Sequence, residues 1–246
     1  SMQPQNLQAI RAMKDFFEEN GVRFLVQIIP DYYDIAARVL NPEFADFPDI
    51  SAARVARQLL ENGVETLYSS DWIVRKAHEH PLLFFYPTNA HPATGAQEIL
   101  TDQMLRFLQD SPIVLPPLGD GNVFSVKEES CKDWGREAWP EKADTGSNKG
   151  GEIYTGSFVY LNGRRILFNP KSPLLIIGNS YIQTPMSEGA YASYLARKLR
   201  HVPDHIRVSG MGPFLTIPKM IFANRQKYLA GKKLVIMPIG LNHLLL

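Results

Sequence analysis

Two short stretches carry residue types that could perform acyl chemistry. In "LLIIGNSYIQTP" an apolar run ends in Gly178-Asn179 and is followed by Ser180 and Tyr181. In "LLFFYPTNAHPATGAQEI" His91 follows a second apolar run and precedes an amphipathic stretch, with Asn89 just ahead of it. A serine hydroxyl is a weak nucleophile at neutral pH and needs a base within hydrogen-bond reach, most often histidine. The base in turn needs a third group to fix its tautomer, and Asn89 is placed to supply it. Backbone N–H groups at the start of a helix following Ser180 could stabilise an oxyanion. The "SGMGP" loop, with Gly210 and Gly212, would allow close backbone approach. Each residue also has a plainer reading: Ser and Asn are common where strands end in turns, and a lone histidine is often structural.

The elements that would position these residues alternate. "QNLQAIRAMKDFFEEN" places Leu7, Ile10, Met13 and Phe17 at helical spacing, with Gly21 as a stop. "RFLVQII" reads as a buried strand ending at Pro30-Asp31. "SAARVARQLLENG" reads as a helix with Ser51 as cap and Gly63 past its end. "VETLYSS" and "PLLFFYP" read as strands around a short helix "DWIVRKAHEH", and "ATGAQEILTDQMLRFLQD" as a long helix. Residues 112–172 break the rhythm with Pro, Gly and charge. Inside them "IYTGSFVYLNGRRILFN" carries the Asn162-Gly163 hairpin signal. The alternation then resumes: "PLLIIG" strand, "EGAYASYLARKLR" helix, "HIRVSG" strand, "TIPKMIFANRQKYLAG" helix, "KKLVIMP" strand. This pattern predicts one α/β domain over 1–246, with about five mainly parallel strands covered by helices on both faces and a β-hairpin insert within 112–172. In such sheets ligands sit beyond the carboxyl ends of the strands, which is where His91 and Ser180 fall.

The bulk numbers narrow the function classes. The chain has 246 residues, 45% apolar and 21% charged, with 26 basic against 25 acidic side chains and a net charge of +1. That balance offers no phosphate-tracking surface, so nucleic acid is not an expected partner. The one cysteine, Cys131, excludes an internal disulfide and a cysteine-rich metal site. No apolar run approaches the ~20 residues that cross a bilayer. The opening Ser1-Met2 looks like a tag remnant on a trimmed chain, which leaves room for a signal or anchor ahead of it. Neither a metal nor a cofactor is implied.

At this point the chain resembles a known family. "YPTNAHPATGAQEI" is similar to the Asp-x-His-Trp-x-x-x-Gly-Ala segment of the AlgJ/AlgX family, SGNH-hydrolase-like proteins that O-acetylate exopolysaccharides such as alginate. "LLIIGNSY" resembles that family's strand ending in Gly-Asp/Thr-Ser-Tyr/Phe, and the order, histidine first and serine later, is the same. "VQIIPDYYDIAARVL", "IRVSGMGP" and "KKLVIMPIGLNHLL" resemble its early strand, its glycine loop and its terminal strand. The likeness spans roughly residues 20–246 as scattered motifs. It implies an SGNH-hydrolase-like three-layer α/β/α sandwich. Ser180 would accept an acetyl group and His91 would serve as base and acid. Position 89 would orient His91. The Ser180 N–H and a group near Gly210 or Gly212 would line the oxyanion hole. It further implies an extracytoplasmic site of action, a polysaccharide substrate and a membrane-bound acetyl-donor protein as partner.

Two departures bear on activity. Pro92 replaces the family's tryptophan, and Asn89 replaces its aspartate. An amide has one acceptor and no charge, and its NH₂ can select the wrong tautomer. In a serine protease the equivalent change costs roughly 10⁴-fold in turnover, about 5.5 kcal/mol of barrier. The chain therefore reads as a polysaccharide O-acetyltransferase or acetylesterase working through Ser180. The alternative is a catalytically silent SGNH-like protein that binds glycan or a partner in an exopolysaccharide assembly. A small-molecule esterase is the third reading. Retention of both Ser180 and His91 favours an enzyme, and Asn89 favours the binder.

Other residues have plainer readings. Asp31 and Asp71 follow strands and read as caps or loop residues. His78 and His80 do not share a helical face. His201 and His205 read as surface loop, and His243 as structural. Trp134 and Trp139 lie in the insert, where an aromatic face could stack on sugar, with burial as the competing role; Trp72 carries the same two readings. Tyr181 could line the acyl pocket or pack. Arg164 and Arg165 at the hairpin tip read as solvated.

Overall fold

The computed structural model of the chain describes residues 2–31, 35, 38, 43, 50–77, 92–132, 153–166, 168–182, 190–208, 214 and 216–245. Helix α1 (Pro4–Glu19) leads into β1 (Arg23–Ile29). Helix α2 (Ile50–Glu61), β2 (Glu65–Tyr68), α3 (Ser70–Ala77) and α4 (Thr94–Gln109) follow. Then come β3 (Phe124–Lys132), β4 (Ile153–Leu161) and β5 (Arg164–Arg165). The chain continues through β6 (Leu174–Gly178), α5 (Ala190–Leu199), β7 (Asp204–Arg207), α6 (Thr216–Ala223), α7 (Arg225–Leu229), β8 (Leu234–Gly240) and α8 (Leu241–Leu245).

The main sheet has five strands in the order β2-β1-β8-β6-β7, every neighbouring pair parallel. Its central strands are near-continuous apolar runs because both faces are covered. One face of β1 carries Phe24, Val26 and Ile28 and packs with Ile10, Met13 and Phe17 of α1 and Val55 and Leu59 of α2. The other carries Leu25 and Ile29 and packs with Ile99, Leu100 and Met104 of α4 and Tyr191 and Leu195 of α5. The period-2 alternation of side chains thus divides one apolar strand between two helix layers, giving the expected α/β/α sandwich.

The position that breaks this apolar run, Gln27, is fully buried on the α4 face. It is held at every turn: its Nε2 donates to Leu100 O at 3.0 Å and to Gln103 Oε1 at 3.0 Å, and its Oε1 accepts from the Tyr191 hydroxyl. Burial pushes the Tyr191 hydroxyl well above the usual phenol range, so it stays a donor to Gln27.

A second sheet, β3-β4-β5, is antiparallel. Its β4–β5 turn is the expected Asn162-Gly163 hairpin, with φ of 52° and 73°. Those paired left-handed values match the twist of the strands they join. Strand β3 was not anticipated; in "FSVKEESCK" only Phe124 and Val126 alternate as apolar residues before the run turns polar, yet it pairs along its whole length with β4. Val159 and Ile166 seat this small sheet against Tyr194 of α5. One other expectation is corrected. The single helix expected over 216–231 is broken at Asn224, whose side chain accepts from Lys227 N–H at 3.1 Å and so starts α7 anew. The strand expected from "PLLFFYP" lies outside the described residues.

Candidate functional site

Ser180 sits where the sequence places it, at the carboxyl end of β6. There the chain makes a single 3₁₀ turn over Ser180–Ile182. Two features force that turn to be tight. Asn179 is buried, and its Oδ1 accepts from Tyr181 N–H at 3.0 Å while its carbonyl accepts from Ile182 N–H at 3.3 Å. Gly178 makes room: a Cβ there would lie 2.5 Å from Ile182 Cδ1 and 2.9 Å from its Cγ1. Asn179 and Gly178 therefore bend the strand end back over itself, leaving Ser180 half-buried between a buried asparagine and a buried tyrosine. The Tyr181 and Ile182 N–H groups are both taken by Asn179.

Tyr181 is the one expected pocket-lining residue whose placement is described, and its ring is turned into the core. The ring lies against β8 at Gly240, where a Cβ would come within 2.8 Å of Tyr181 Cε1. Its hydroxyl accepts from Asn242 Nδ2 at 2.7 Å, and its ring meets that of His243 edge-on at 5.2 Å between centroids. Burial, with a smaller contribution from the nearby Asp31 carboxylate, raises the phenol above its usual range against the Asn242 hydrogen bond. Tyr181 thus pins the Ser180 turn to the end of β8. Burial also lowers the His243 ring below the usual histidine range, which keeps it neutral.

The histidine segment reaches the same place through α4. Its first turn, Thr94, Gly95 and Ala96, is buried, as is Pro92 next to His91. Gln97 of that turn is fully buried and donates from Nε2 to the carbonyl of Tyr181 at 2.7 Å. The helix that begins just after His91 is therefore bonded directly to the turn that carries Ser180. His91 and Asn89 themselves lie outside the described residues, as do Gly210, Gly212, Trp134, Trp139, His78 and His80. Sequence reading missed the two amides that organise this corner, Gln97 and Asn242. The only local signal for Asn242 is its place in "MPIGLNH", just beyond a strand-ending glycine; Gln97 has none.

The remaining candidates resolve into structural roles. Asp71, in the first turn of α3, pairs with Arg38 at 2.7 Å. Trp72 donates Nε1–H to Ile99 O at 3.1 Å, and the Arg106 guanidinium lies over its ring at 4.6 Å, so that face is occupied. Arg164 and Arg165 are exposed, and Arg165 pairs with Glu129 at 3.0 Å. Two surface-loop expectations are corrected. His201 is buried, bridging Ser172 Oγ and Pro116 O at 2.7 Å each. His205 packs edge-on against Phe168 at 4.6 Å, and burial, aided by Arg207, lowers its pKa to about 3. Among the described residues no cluster of histidine, cysteine and carboxylate side chains could hold a metal ion, and no helix is long and apolar enough to cross a membrane.

No family model and no curated protein sequence matches the chain. Solved structures do. The O-acetyltransferase domain of Pseudomonas putida AlgJ superposes with a TM-score of 0.73 at 16% identity, over 97% of this chain and 82% of that one. Pseudomonas aeruginosa AlgX gives a TM-score of 0.68 at 15% identity over 98% of this chain, which spans 56% of AlgX. Bacillus cereus PatB1, solved with a sulfonyl adduct, gives 0.54 at 12% identity, over 98% and 88% of the two chains. The chain shares the fold of the AlgJ and AlgX structures.

Proposed function

We propose that the protein is an O-acetyltransferase or acetylesterase that works on a cell-surface polysaccharide through an acetyl-serine at Ser180. The observation that carries this reading is the Gln97–Tyr181 hydrogen bond of 2.7 Å. It ties the helix next to His91 to the turn of Ser180, at the carboxyl ends of parallel strands where this architecture binds ligands. The fold shared with the AlgJ O-acetyltransferase domain supports it.

In this reading His91 takes the proton of Ser180 as Oγ attacks the acetyl carbonyl. The tetrahedral oxyanion is held by the Ser180 N–H and a group near Gly210 or Gly212, the C–O bond to the donor breaks, and His91 returns the proton to the leaving group. A sugar hydroxyl then gives its proton to His91 and attacks the acetyl-serine, releasing the acetylated sugar and Ser180. Water in place of the sugar gives hydrolysis. Asn89 holds the imidazole by its single amide oxygen, without the charge that an aspartate would place beside the imidazolium. Trp134 stacks on the glycan. The reading places the protein outside the cytoplasm, with a membrane-bound protein as acetyl donor.

Asn89 favours a second reading, a catalytically silent glycan- or partner-binding protein on the same fold. Rates of 4-nitrophenol release from 4-nitrophenyl acetate separate the two. The enzyme reading expects hydrolysis that is lost in His91→Ala, raised in Asn89→Asp and accelerated by an oligosaccharide acceptor. Release equal to the uncatalysed rate in both the protein and Asn89→Asp would leave the binding reading.

A further inference from the structure

Away from the carboxyl ends of the strands, α1 and α6 enclose an open groove of about 420 Å³. Along α1 it is lined by Ala9, Ala12, Met13 and Phe16, an i, i+3, i+4, i+7 stripe in which Met13 belongs to the buried face and Ala9, Ala12 and Phe16 stay at least partly exposed. Across from them stand Pro218 and Phe222 of α6, with Phe214 at one side. Phe222 is 62% exposed, although its ring lies 5.7 Å from that of Phe16. Large aromatic surface left open in a concave site between helices marks a contact surface rather than an ordinary solvated face.

Two cations flank the groove on its α6 side. Lys219 lines it, and the Arg225 guanidinium lies over both Phe222 and Phe16, at 5.0 and 5.6 Å from their centroids. Both are exposed, and neither has a carboxylate partner among the described residues. On the α1 side, Asp15 and Glu18 are paired with Lys14, and Glu19 is exposed at the end of the helix.

We infer that this groove docks an amphipathic helix of a partner protein, with an acidic flank. A helix laid between α1 and α6 would place its own i, i+3, i+4 and i+7 apolar side chains into the groove. The two alanines of α1 allow its backbone to come close, and carboxylates along its α6-facing edge would meet Lys219 and Arg225. A second copy of this chain is a poorer occupant, since a symmetric pairing brings Lys219 and Arg225 of both copies into one interface. A bilayer is a poorer one because the apolar surface is concave, with its aromatic rings lying between helices.

The test uses the full chain and a labelled synthetic helix carrying leucines at i, i+3, i+4 and i+7 and glutamates on both flanks, followed by fluorescence anisotropy. The inference expects saturable binding that falls at least tenfold in Phe222→Ser and in Lys219→Glu/Arg225→Glu. A peptide with lysine in place of glutamate should not bind. Hydrolysis of 4-nitrophenyl acetate should be unchanged in both variants, which reports that they are folded. Equal binding of the lysine peptide, or no loss in the charge-reversed variant, overturns the inference. Concentration-dependent self-association that Phe222→Ser abolishes would assign the groove to a second copy. Capture by vesicles of anionic lipid, lost in the same variant, would assign it to a membrane surface.

Discussion

The molecule contains two serines placed against the ends of β6, and they differ in almost everything but residue type. Ser172, ahead of the strand, is fully buried. Its Oγ is 2.7 Å from His201 Nε2 and accepts from Leu174 N–H at 3.1 Å, while His201 Nδ1 donates to Pro116 O. Taken as a list of atoms, this is a serine, a histidine and an orienting oxygen. Below it Lys232, buried, donates to Pro170 O at 2.6 Å and Ser172 O at 3.0 Å and pairs with Asp204 at 2.8 Å. Each of these polar groups has its partner inside the protein, and Ser172 has no opening through which a substrate could enter. Ser180, beyond the strand, is half-buried on a turn set by Asn179 and Gly178, at the end of the sheet where ligands bind. The comparison teaches that a Ser–His contact is not a site. A catalytic serine needs a face left open toward substrate, whereas Ser172 spends its hydrogen-bonding capacity on holding a loop to the sheet.

That contrast can be broken from either end. The largest effect is expected at the sealed end. Lys232→Met leaves the Asp204 carboxylate, only 14% exposed, without its cation, and should cost about 3 kcal/mol or more in urea unfolding. Turnover per folded molecule should not change. At the open end, Gly178→Ala places a methyl 2.5 Å from Ile182 Cδ1. Relieving that overlap should cost about 1–3 kcal/mol and move the Ser180 turn, lowering kcat by roughly tenfold or more. This variant should be the one that loses rate out of proportion to stability. Ser172→Ala leaves His201 Nε2 and Leu174 N–H without their partner and should cost about 1–2 kcal/mol, again with kcat intact.

The same distinction extends to pH. The pKa of His205 is about 3 in the folded protein, against about 6.5 in an unfolded chain. Above pH 6.5 both states hold the ring neutral. Between 6.5 and 3 the unfolded state binds the proton and the folded state does not, so stability falls on acidification through that window. The slope approaches about 1 kcal/mol per pH unit near pH 5. Urea midpoints between pH 7 and 5 should show this loss in the protein and a flatter profile in His205→Phe.

Much of the architecture was legible because apolar runs and helical stripes are local signals. The five parallel strands and the Asn162-Gly163 hairpin followed from them, as did Ser180 at a strand end. What escaped was set by tertiary packing. "HVPDH" reads as a solvated loop from its proline and charge, yet Pro116 and the Ser172 segment close over His201. Strand β3 has only the short apolar alternation of Phe124 and Val126, so its pairing with β4 defines most of its length. Position after Ser180 leaves Tyr181 either lining the acyl pocket or packing, and only the 3₁₀ turn shows its side chain carried back under the sheet end to Asn242. Gln97 looks like any helix-surface glutamine until the turn it bonds is in view.

Acyl transfer should belong to Ser180 and not to Ser172. The most direct measurement is intact-mass and peptide-mapping mass spectrometry after brief exposure to 4-nitrophenyl acetate. It would be run on the protein, Ser180→Ala, Ser172→Ala and Asn89→Asp. The account predicts one acetyl group on the peptide containing Ser180. That adduct should be retained in Ser172→Ala, increased in Asn89→Asp and absent in Ser180→Ala. An adduct that survives Ser180→Ala, or no adduct in any of the four, would contradict it.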